Sequence, residues 1–305
     1  MFKPGKNGRR LGADSFQAMG MLAPMMLGFL IFTYVPIIYI LRYSLYDSNG
    51  FKESWVGLKN FQRLFTRDSA YWTSLGTTFI LAFGKLALEI PLAMLLALFL
   101  NKGLKGTGFF RVALFLPAII STAICGLIFS LMFASYNGII NSMLQNIGWI
   151  QRPINWFSNR WTALLVLGLA SAWNNFGINM IFFLMDLQSV PKELYESAAI
   201  DGITPVKQFF SITLPMIGPT FTSVLLMAIV GSLKMADLIL ASTNGQPAGG
   251  TEVVMTYVFK YFFGYSGRRV EIGYASAMAV ITGIILALVS MIYMRMTKKI
   301  SKSVE

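Results

Sequence analysis

Two oppositely charged residues stand inside one long apolar stretch of the chain. Lys85 and Glu89 are four residues apart within positions 75–100. At this spacing two side chains share one face of an α-helix and can form an ion pair. A charge in a membrane span is energetically unfavourable and marks a functional position by default. The two residues either line a transport pathway or a moving interface, or they form a static pair buried against a partner subunit.

Three asparagines cluster in another apolar stretch, beside Trp173 and Phe176. Asn175 and Asn179 share a helix face, and Asn174 lies next to them in sequence. Amides that hydrogen-bond to hydroxyls, together with aromatic faces that contact C–H groups, suit a polyol. The alternative is that these asparagines hydrogen-bond between neighbouring helices. The sequence leaves both alternatives open.

Two further charges, Lys234 and Asp237, follow the fifth apolar stretch of the chain. They are candidates for the same pathway. In the alternative, they are interfacial charges whose side chains extend to the lipid headgroups.

The chain lacks the residues on which most enzymatic and metal chemistry depends. It has no histidine and a single cysteine, Cys125. The commonest general base and metal ligand are therefore missing, and an intramolecular disulfide is excluded. No phosphate-binding loop of the G-x-x-x-x-G-K-[ST] type is present. We expect no catalytic residue, metal site or cofactor, and any ATP that drives this protein must bind to another chain.

The elements that position these residues are six predicted transmembrane helices. Hydrophobic residues make up 55% of the 305 positions and charged residues only 12%. An apolar stretch of about 20 residues can cross roughly 30 Å of hydrocarbon as a helix. The predicted spans are 20–41, 75–100, 112–133, 161–185, 216–233 and 272–294. We therefore predict an all-α integral membrane protein with one transmembrane domain over 20–294.

The distribution of lysine and arginine predicts the orientation of these spans. With the N-terminus inside, the inner segments carry 13 Lys and Arg, and the longer outer segments carry 11. Both tails, 1–19 and 295–305, are then cytoplasmic. The net charge of +12 suits anionic headgroups rather than nucleic acid, because no basic domain stands outside the membrane.

The inner loop 186–215 is predicted to form two short helices. Pro191 suits the first turn of one helix, and Gly202 its C-terminal stop. Asp201 lies near that C-terminus, where the helix dipole disfavours an acid, which hints at an outside partner. Three consecutive small residues would let another backbone approach closely: Ser197, Ala198 and Ala199. The alternative is an amphipathic helix lying on the membrane surface.

One spacing in this loop carries a family resemblance. Glu196-Ser197-Ala198, three residues, Gly202, nine residues and then Ile212-x-Leu214-Pro215 resembles the EAA loop of permease subunits of binding-protein-dependent ABC importers. Ser197 stands in the middle position, where the first alanine is usual. The wider sequence ELYESAAIDG is typical of sugar permeases. Among these, the chain most resembles the maltose/glycerol-phosphate type. Asp237 coincides with a recurring aspartate of that family, although Ala236 stands where an aromatic residue is usual.

The resemblance, which extends over most of the chain, implies a type I ABC importer permease with both termini inside a bacterial or archaeal cell. Positions 191–202 would dock as a coupling helix on a cytoplasmic ATPase. The residues implied in this coupling are Glu196, Ser197, Ala198, Ala199, Asp201, Gly202, Leu214 and Pro215.

The partners implied are a second homologous permease, two ABC ATPase subunits that bind ATP and magnesium, an external solute-binding protein and the lipid bilayer. The chain would form half of the pathway for a sugar or oligosaccharide and would do no covalent chemistry. The alternatives are a stand-alone secondary transporter or channel for a small polar solute and, less well supported, a membrane-embedded enzyme.

Overall fold

The computed structural model describes residues 10–103 and 105–301, with side chains from 16 to 297. The outer parts of the two predicted tails, 1–9 and 302–305, lie outside the described residues. The chain forms two compact units, Met1–Arg67 with Tyr261–Ile281, and Asp68–Lys260 with Thr282–Glu305. Each unit is described by itself.

The first unit begins with a long apolar helix that contains one wide turn. Its parts are α1 (Arg10–Phe29), a π-helical turn (Leu30–Tyr34) and α2 (Val35–Tyr43). Pro36 has no N–H to donate, and its ring would clash with a regular helical carbonyl four residues earlier. The wider turn, in which the Val35 N–H donates to the Leu30 carbonyl, accommodates this proline. The stretch Phe16–Tyr43 is long and apolar enough to cross a membrane, as predicted.

A two-stranded antiparallel sheet and a short helix complete the N-terminal part of this unit. Strand β1 (Tyr46–Ser48) pairs with β2 (Glu53–Trp55), and α3 covers Lys59–Thr66. Asn60 donates from Nδ2 to the carbonyls of Ser44 and Tyr46, at 3.0 and 2.8 Å. These bonds fix the start of α3 against the beginning of β1.

Further helices follow along the chain, and the last two have residues in both units. They are α4 (Ser69–Asn101), α5 (Thr107–Phe115), α6 (Thr122–Met132), α7 (Ile139–Asn146), α8 (Arg160–Leu187), α9 (Lys192–Ile200), α10 (Pro205–Gln208), α11 (Leu214–Met216), α12 (Gly218–Leu233), α13 (Asp237–Ser242), α14 (Val254–Phe263) and α15 (Ile272–Ser301). The side chains of Asp68 and Asn159 accept backbone N–H groups in the first turns of α4 and α8. Both long helices therefore begin at a side-chain cap.

The core of the second unit lies between α4, α8 and α12. Its buried apolar residues include Ile90, Ala93 and Ala97 of α4, which pack with Met180 and Phe183 of α8. Small residues on one helix let the other approach, as is usual where helices meet in a membrane. This packing holds the charged and amide residues of α4 and α8 close together.

The helices confirm the prediction of six spans, with each bent helix pair counted as one span. By length and composition, four helical stretches of the described chain could cross a membrane: Phe16–Tyr43, Ser69–Asn101, Arg160–Leu187 and Ile272–Thr297. Two bent pairs also qualify, Thr107–Ile119 with Thr122–Met132 and Pro205–Met216 with Gly218–Leu233. The third and fifth spans are thus broken rather than straight.

The break in the third span bends its axis by 96°. A 3₁₀ turn, Leu116–Ile119, follows α5 and contains Pro117, and the chain is extended at Ile120 before α6 begins. Helix α8 lies so close to α5 that a Cβ added to Gly177 would be 2.4 Å from the Leu114 carbonyl oxygen. Only glycine fits there, and the predicted span over 112–133 consists of two segments that pack on α8.

The wide turn ahead of the bend in the fifth span has the same physical cause as the wide turn in the first. Pro215 follows a π-helical turn, Phe209–Thr213, in which the Leu214 N–H donates to the Phe209 carbonyl. The axis then turns by 76° near Ile217, before α12. The predicted second loop helix is therefore α10, the π turn and α11, joined at an angle to the span.

Candidate functional site

A cavity of about 330 Å³ lies in the second unit among α4, α6, α8, α12 and the start of α13. Its polar lining residues come from segments far apart in sequence: Lys85, Glu89, Thr122, Ser171, Asn175, Asn179, Lys234 and Asp237. Apolar side chains, among them Phe182 and Met227, complete the wall. The cavity brings together six of the seven residues predicted for the pathway, all except Asn174. Contact between these residues and a substrate stays a prediction.

The predicted ion pair on α4 is formed and buried. The Lys85 Nζ lies 3.1 Å from Glu89 Oε2, and the two residues are 4% and 1% exposed. Asn179 of α8 donates from Nδ2 to Glu89 Oε1 at 2.6 Å. The pair is therefore buried within its own chain and also lines the cavity, and its contact with a substrate or a partner subunit stays a prediction.

The three asparagines have different roles in the structure. Asn174 is buried and donates from Nδ2 to the carbonyls of Pro117 and Ile120, at 2.8 and 3.0 Å. These carbonyls belong to the break between α5 and α6. Asn174 and Asn179 thus both make hydrogen bonds to other segments, which was the alternative, while Asn175 and Asn179 line the cavity.

Lys234 and Asp237 are exposed and stand where α12 ends and α13 begins. Asp237 is the first residue of α13, where the helix dipole favours a negative charge. Together with the α4 pair, they give the cavity wall two positive and two negative side chains. The formal charges of the wall therefore cancel.

The predicted loop helix is α9, and its end has the expected geometry. Gly202 has a φ of +73°. Its N–H donates to the Ala199 carbonyl at 3.1 Å, and the Ile203 N–H donates to the Ala198 carbonyl at 2.9 Å. This pair of bonds is the Schellman motif, which requires a left-handed residue and closes the helix at Asp201.

The exposed face of α9 differs in one respect from the predicted small-residue face. Glu196, Ser197, Ala199 and Asp201 are exposed, whereas Ala198 is only 5% exposed. Ala198 packs within its own chain and is not available to a partner. Beyond α9, Leu214 is half-buried and Pro215 is exposed, at the end of the π turn.

Comparison with known proteins places this geometry in a family. Residues 89–305 match the profile described as "Binding-protein-dependent transport system inner membrane component". The chain belongs to this family. It is a permease, a multi-pass membrane subunit of a binding-protein-dependent transport system, and this membership does not support the stand-alone transporter or channel.

Relatives resemble this permease over nearly its whole length. It is 33% identical to the probable ABC transporter permease protein YesP of Bacillus subtilis, over 94% of this chain and 92% of that protein. It is 35% identical to the arabinooligosaccharides transport system permease protein AraP of Bacillus subtilis, over 90% and 86%. A chain of a bacterial ABC transporter involved in the import of the acidic polysaccharide alginate has a TM-score of 0.81 and 26% identity, with 96% of this chain and 100% of that chain covered.

A second buried ion pair of this permease escaped the sequence analysis. Lys260 Nζ lies 2.6 Å from Glu252 Oε2 and also donates to the Asn244 carbonyl at 2.8 Å. Thr256 donates from Oγ1 to Glu252 Oε1 at 2.5 Å. The pair lies outside the lining of the cavity. The signal available was that Glu252 and Lys260 are the two charged residues of the stretch 244–263.

Proposed function

We propose that this permease forms half of the translocation pathway for an uncharged sugar or oligosaccharide that an external binding protein delivers. The observation that carries the proposal is the charge-balanced polar cavity inside the helices of the second unit. Its amides and hydroxyls suit sugar hydroxyl groups, and the Phe182 ring suits sugar C–H faces. Cancelling charges on the wall favour a neutral solute over an anionic one.

The names of the relatives support a carbohydrate. Among them are permeases for arabinooligosaccharides, for trehalose and maltose, and for lactose. A related solved complex contains a periplasmic protein that carries an alginate pentasaccharide, which supports delivery by a binding protein. Glu89, Asn175, Asn179 and the other polar wall residues would meet the substrate as it passes.

The exposed face of α9 is proposed as the contact with an ATPase subunit. Glu196, Ser197, Ala199 and Asp201 offer a short helix face with small and acidic side chains, which fits a groove on a partner. The partners are then two ATPase subunits that hold ATP and magnesium, and a second homologous permease. This assignment puts α9 and both termini in the cytoplasm.

Reconstitution tests the proposal directly. The complex is purified through a tag on this chain and placed in liposomes with its external binding protein. Radiolabelled maltotriose and arabinotriose are the probes. We expect uptake that requires both ATP inside and the binding protein outside. Uptake without ATP, driven by an ion gradient, would contradict the proposal.

Variants at the loop test the role of α9. Gly202→Pro removes the N–H that donates to Ala199 and cannot adopt a φ of +73°. Glu196→Lys reverses a charge on the exposed face. Either variant should insert normally, yet hydrolyse ATP without matching uptake. Gly202→Asn is the matched control, because asparagine tolerates a left-handed backbone. Normal transport by both variants would refute the assignment.

A further inference from the structure

One side chain of α9 reaches back into its own chain. Tyr195 is half-buried and packs against the core cluster of α4, α8 and α12, whereas its neighbour Glu196 is exposed. The hydroxyls of Tyr195 and Thr213 are hydrogen-bonded at 2.9 Å. Thr213 is itself only 4% exposed. This bond joins α9 to the segment that leads into the fifth span.

Thr213 stands at a weak point of the backbone. It is the last residue of the π turn Phe209–Thr213, and Pro215 follows with no N–H to donate. The helix axis then bends by 76° near Ile217. Interrupted hydrogen bonding makes such a segment easier to bend than a regular helix, and π turns often stand at functional positions.

The helix beyond this weak point forms part of the cavity wall. Helix α12 begins at Gly218 and contributes Met227, Ala228 and Gly231 to the lining, and Lys234 follows directly after it. A displacement applied at Thr213 therefore acts at the base of a helix whose other end borders the substrate.

We infer that the hydrogen bond between Tyr195 and Thr213 transmits movement of α9 to the cavity wall. Tyr195 is then a positioning residue that acts through Thr213 and touches neither nucleotide nor substrate. Energetic coupling between sites is carried by packed side chains and hydrogen bonds that join elements able to move. The inference rests on the proposed contact between α9 and an ATPase subunit.

The test measures how much ATP the reconstituted complex hydrolyses for each radiolabelled maltotriose or arabinotriose molecule taken up. Tyr195→Phe removes the hydroxyl and keeps the ring in the core. We expect at least a threefold rise in ATP hydrolysed per sugar, and the same rise in Thr213→Val. Because both variants break one bond, Tyr195→Phe/Thr213→Val should rise no further than either alone. Thr213→Ser keeps a hydroxyl and should keep the wild-type ratio.

Another tyrosine hydroxyl, which bonds to the backbone of α12 from a different helix, serves as the control. Tyr293 of α15 donates to the Thr222 carbonyl at 2.6 Å, so Tyr293→Phe also removes one hydroxyl bond to α12. It should leave the ratio of ATP to sugar unchanged. A bond with a structural role alone would reduce the yield of complex while leaving that ratio unchanged.

An unchanged ratio in Tyr195→Phe, with Glu196→Lys still uncoupled, would overturn the inference and leave the proposed function intact. An unchanged ratio in Tyr195→Phe together with a lower yield would overturn it equally. A wild-type ratio in Glu196→Lys and Gly202→Pro would instead overturn the α9 contact on which the inference rests.

Discussion

Two lysine–carboxylate pairs are buried in the second unit in different surroundings. Lys85 and Glu89 are 3.1 Å apart on the wall of a cavity, and the Asn179 amide donates to Glu89 Oε1. Glu252 and Lys260 are 2.6 Å apart, away from that cavity, and the Thr256 hydroxyl and the Asn244 carbonyl hold them in place. Both pairs are buried, but the first lines the cavity and the second lies outside its lining.

The two pairs should respond differently when one of their two charges is removed by mutation. In the pair outside the cavity the remaining buried charge has little space beside it for water, so the fold itself is destabilised. On the cavity wall the remaining charge meets water or a passing solute, so transport changes more than stability. Burial alone therefore does not distinguish a structural pair from a functional one, and the space beside the pair does.

The largest expected effect is on the pair outside the cavity, Glu252 and Lys260. Glu252→Ala leaves Lys260, which is 4% exposed, without its carboxylate. Removing one partner of a buried pair costs about 3–5 kcal/mol of folding free energy. Thermal or detergent unfolding of the purified complex measures the loss, with Glu89→Ala as the comparison variant. Greater destabilisation by Glu89→Ala would break the distinction between the two pairs.

An intermediate effect is expected at the cavity pair. Glu89→Gln preserves volume and an acceptor for Asn179, yet leaves the Lys85 charge uncompensated on the wall. We expect uptake of neutral maltotriose to fall on the order of tenfold, equivalent to about 1.4 kcal/mol. Unfolding should shift less than in Glu252→Ala.

A double variant is the control for this cavity prediction. Lys85→Met/Glu89→Gln restores a neutral wall and should recover most of the maltotriose uptake. Uptake lower in the double variant than in Glu89→Gln would show that the ion pair itself, rather than charge balance, is required.

The smallest effect is expected when valine replaces a threonine, which exchanges the hydroxyl for a methyl group. One such change is made beside the Glu252–Lys260 pair and one on the cavity wall. Thr256→Val removes the donor to Glu252 Oε1 and should destabilise the protein by about 1 kcal/mol. Thr122→Val is the matched change on the cavity wall and should alter stability by less than about 0.5 kcal/mol. Its effect should instead be a raised half-saturating sugar concentration in uptake. Equal destabilisation by the two variants would contradict the comparison.

The two ion pairs also differ in whether they could be predicted from the sequence. Lys85 and Glu89 were predictable because their spacing of four places them on one helix face. Glu252 precedes α14 and lies eight residues before Lys260, so no helical rule pairs them. Their contact depends on a loop whose path the sequence pattern does not reveal.

The roles of the small and amide residues needed tertiary information as well. The sequence singled out Asn174, but its partners are carbonyls at a bend that composition does not predict. Ala198 lies in the predicted helix, yet its burial depends on packing against the rest of the chain, which the spacing alone does not give. The six apolar stretches, by contrast, were predictable, because the length of a span is fixed by the thickness of a bilayer.

The close contact at Gly177 limits which walls of the cavity can move. Backbone atoms of α5 and α8 meet there with no room for a methyl group, and Asn174 ties the turn after α5 to the same helix. Sliding these segments apart would break backbone packing and two hydrogen bonds at once. Helix α12 instead follows a segment in which Pro215 and the π turn Phe209–Thr213 interrupt the regular helical hydrogen bonds. The α8 wall of the cavity is thus held in place, and the width of the cavity is most easily changed by displacement of α12.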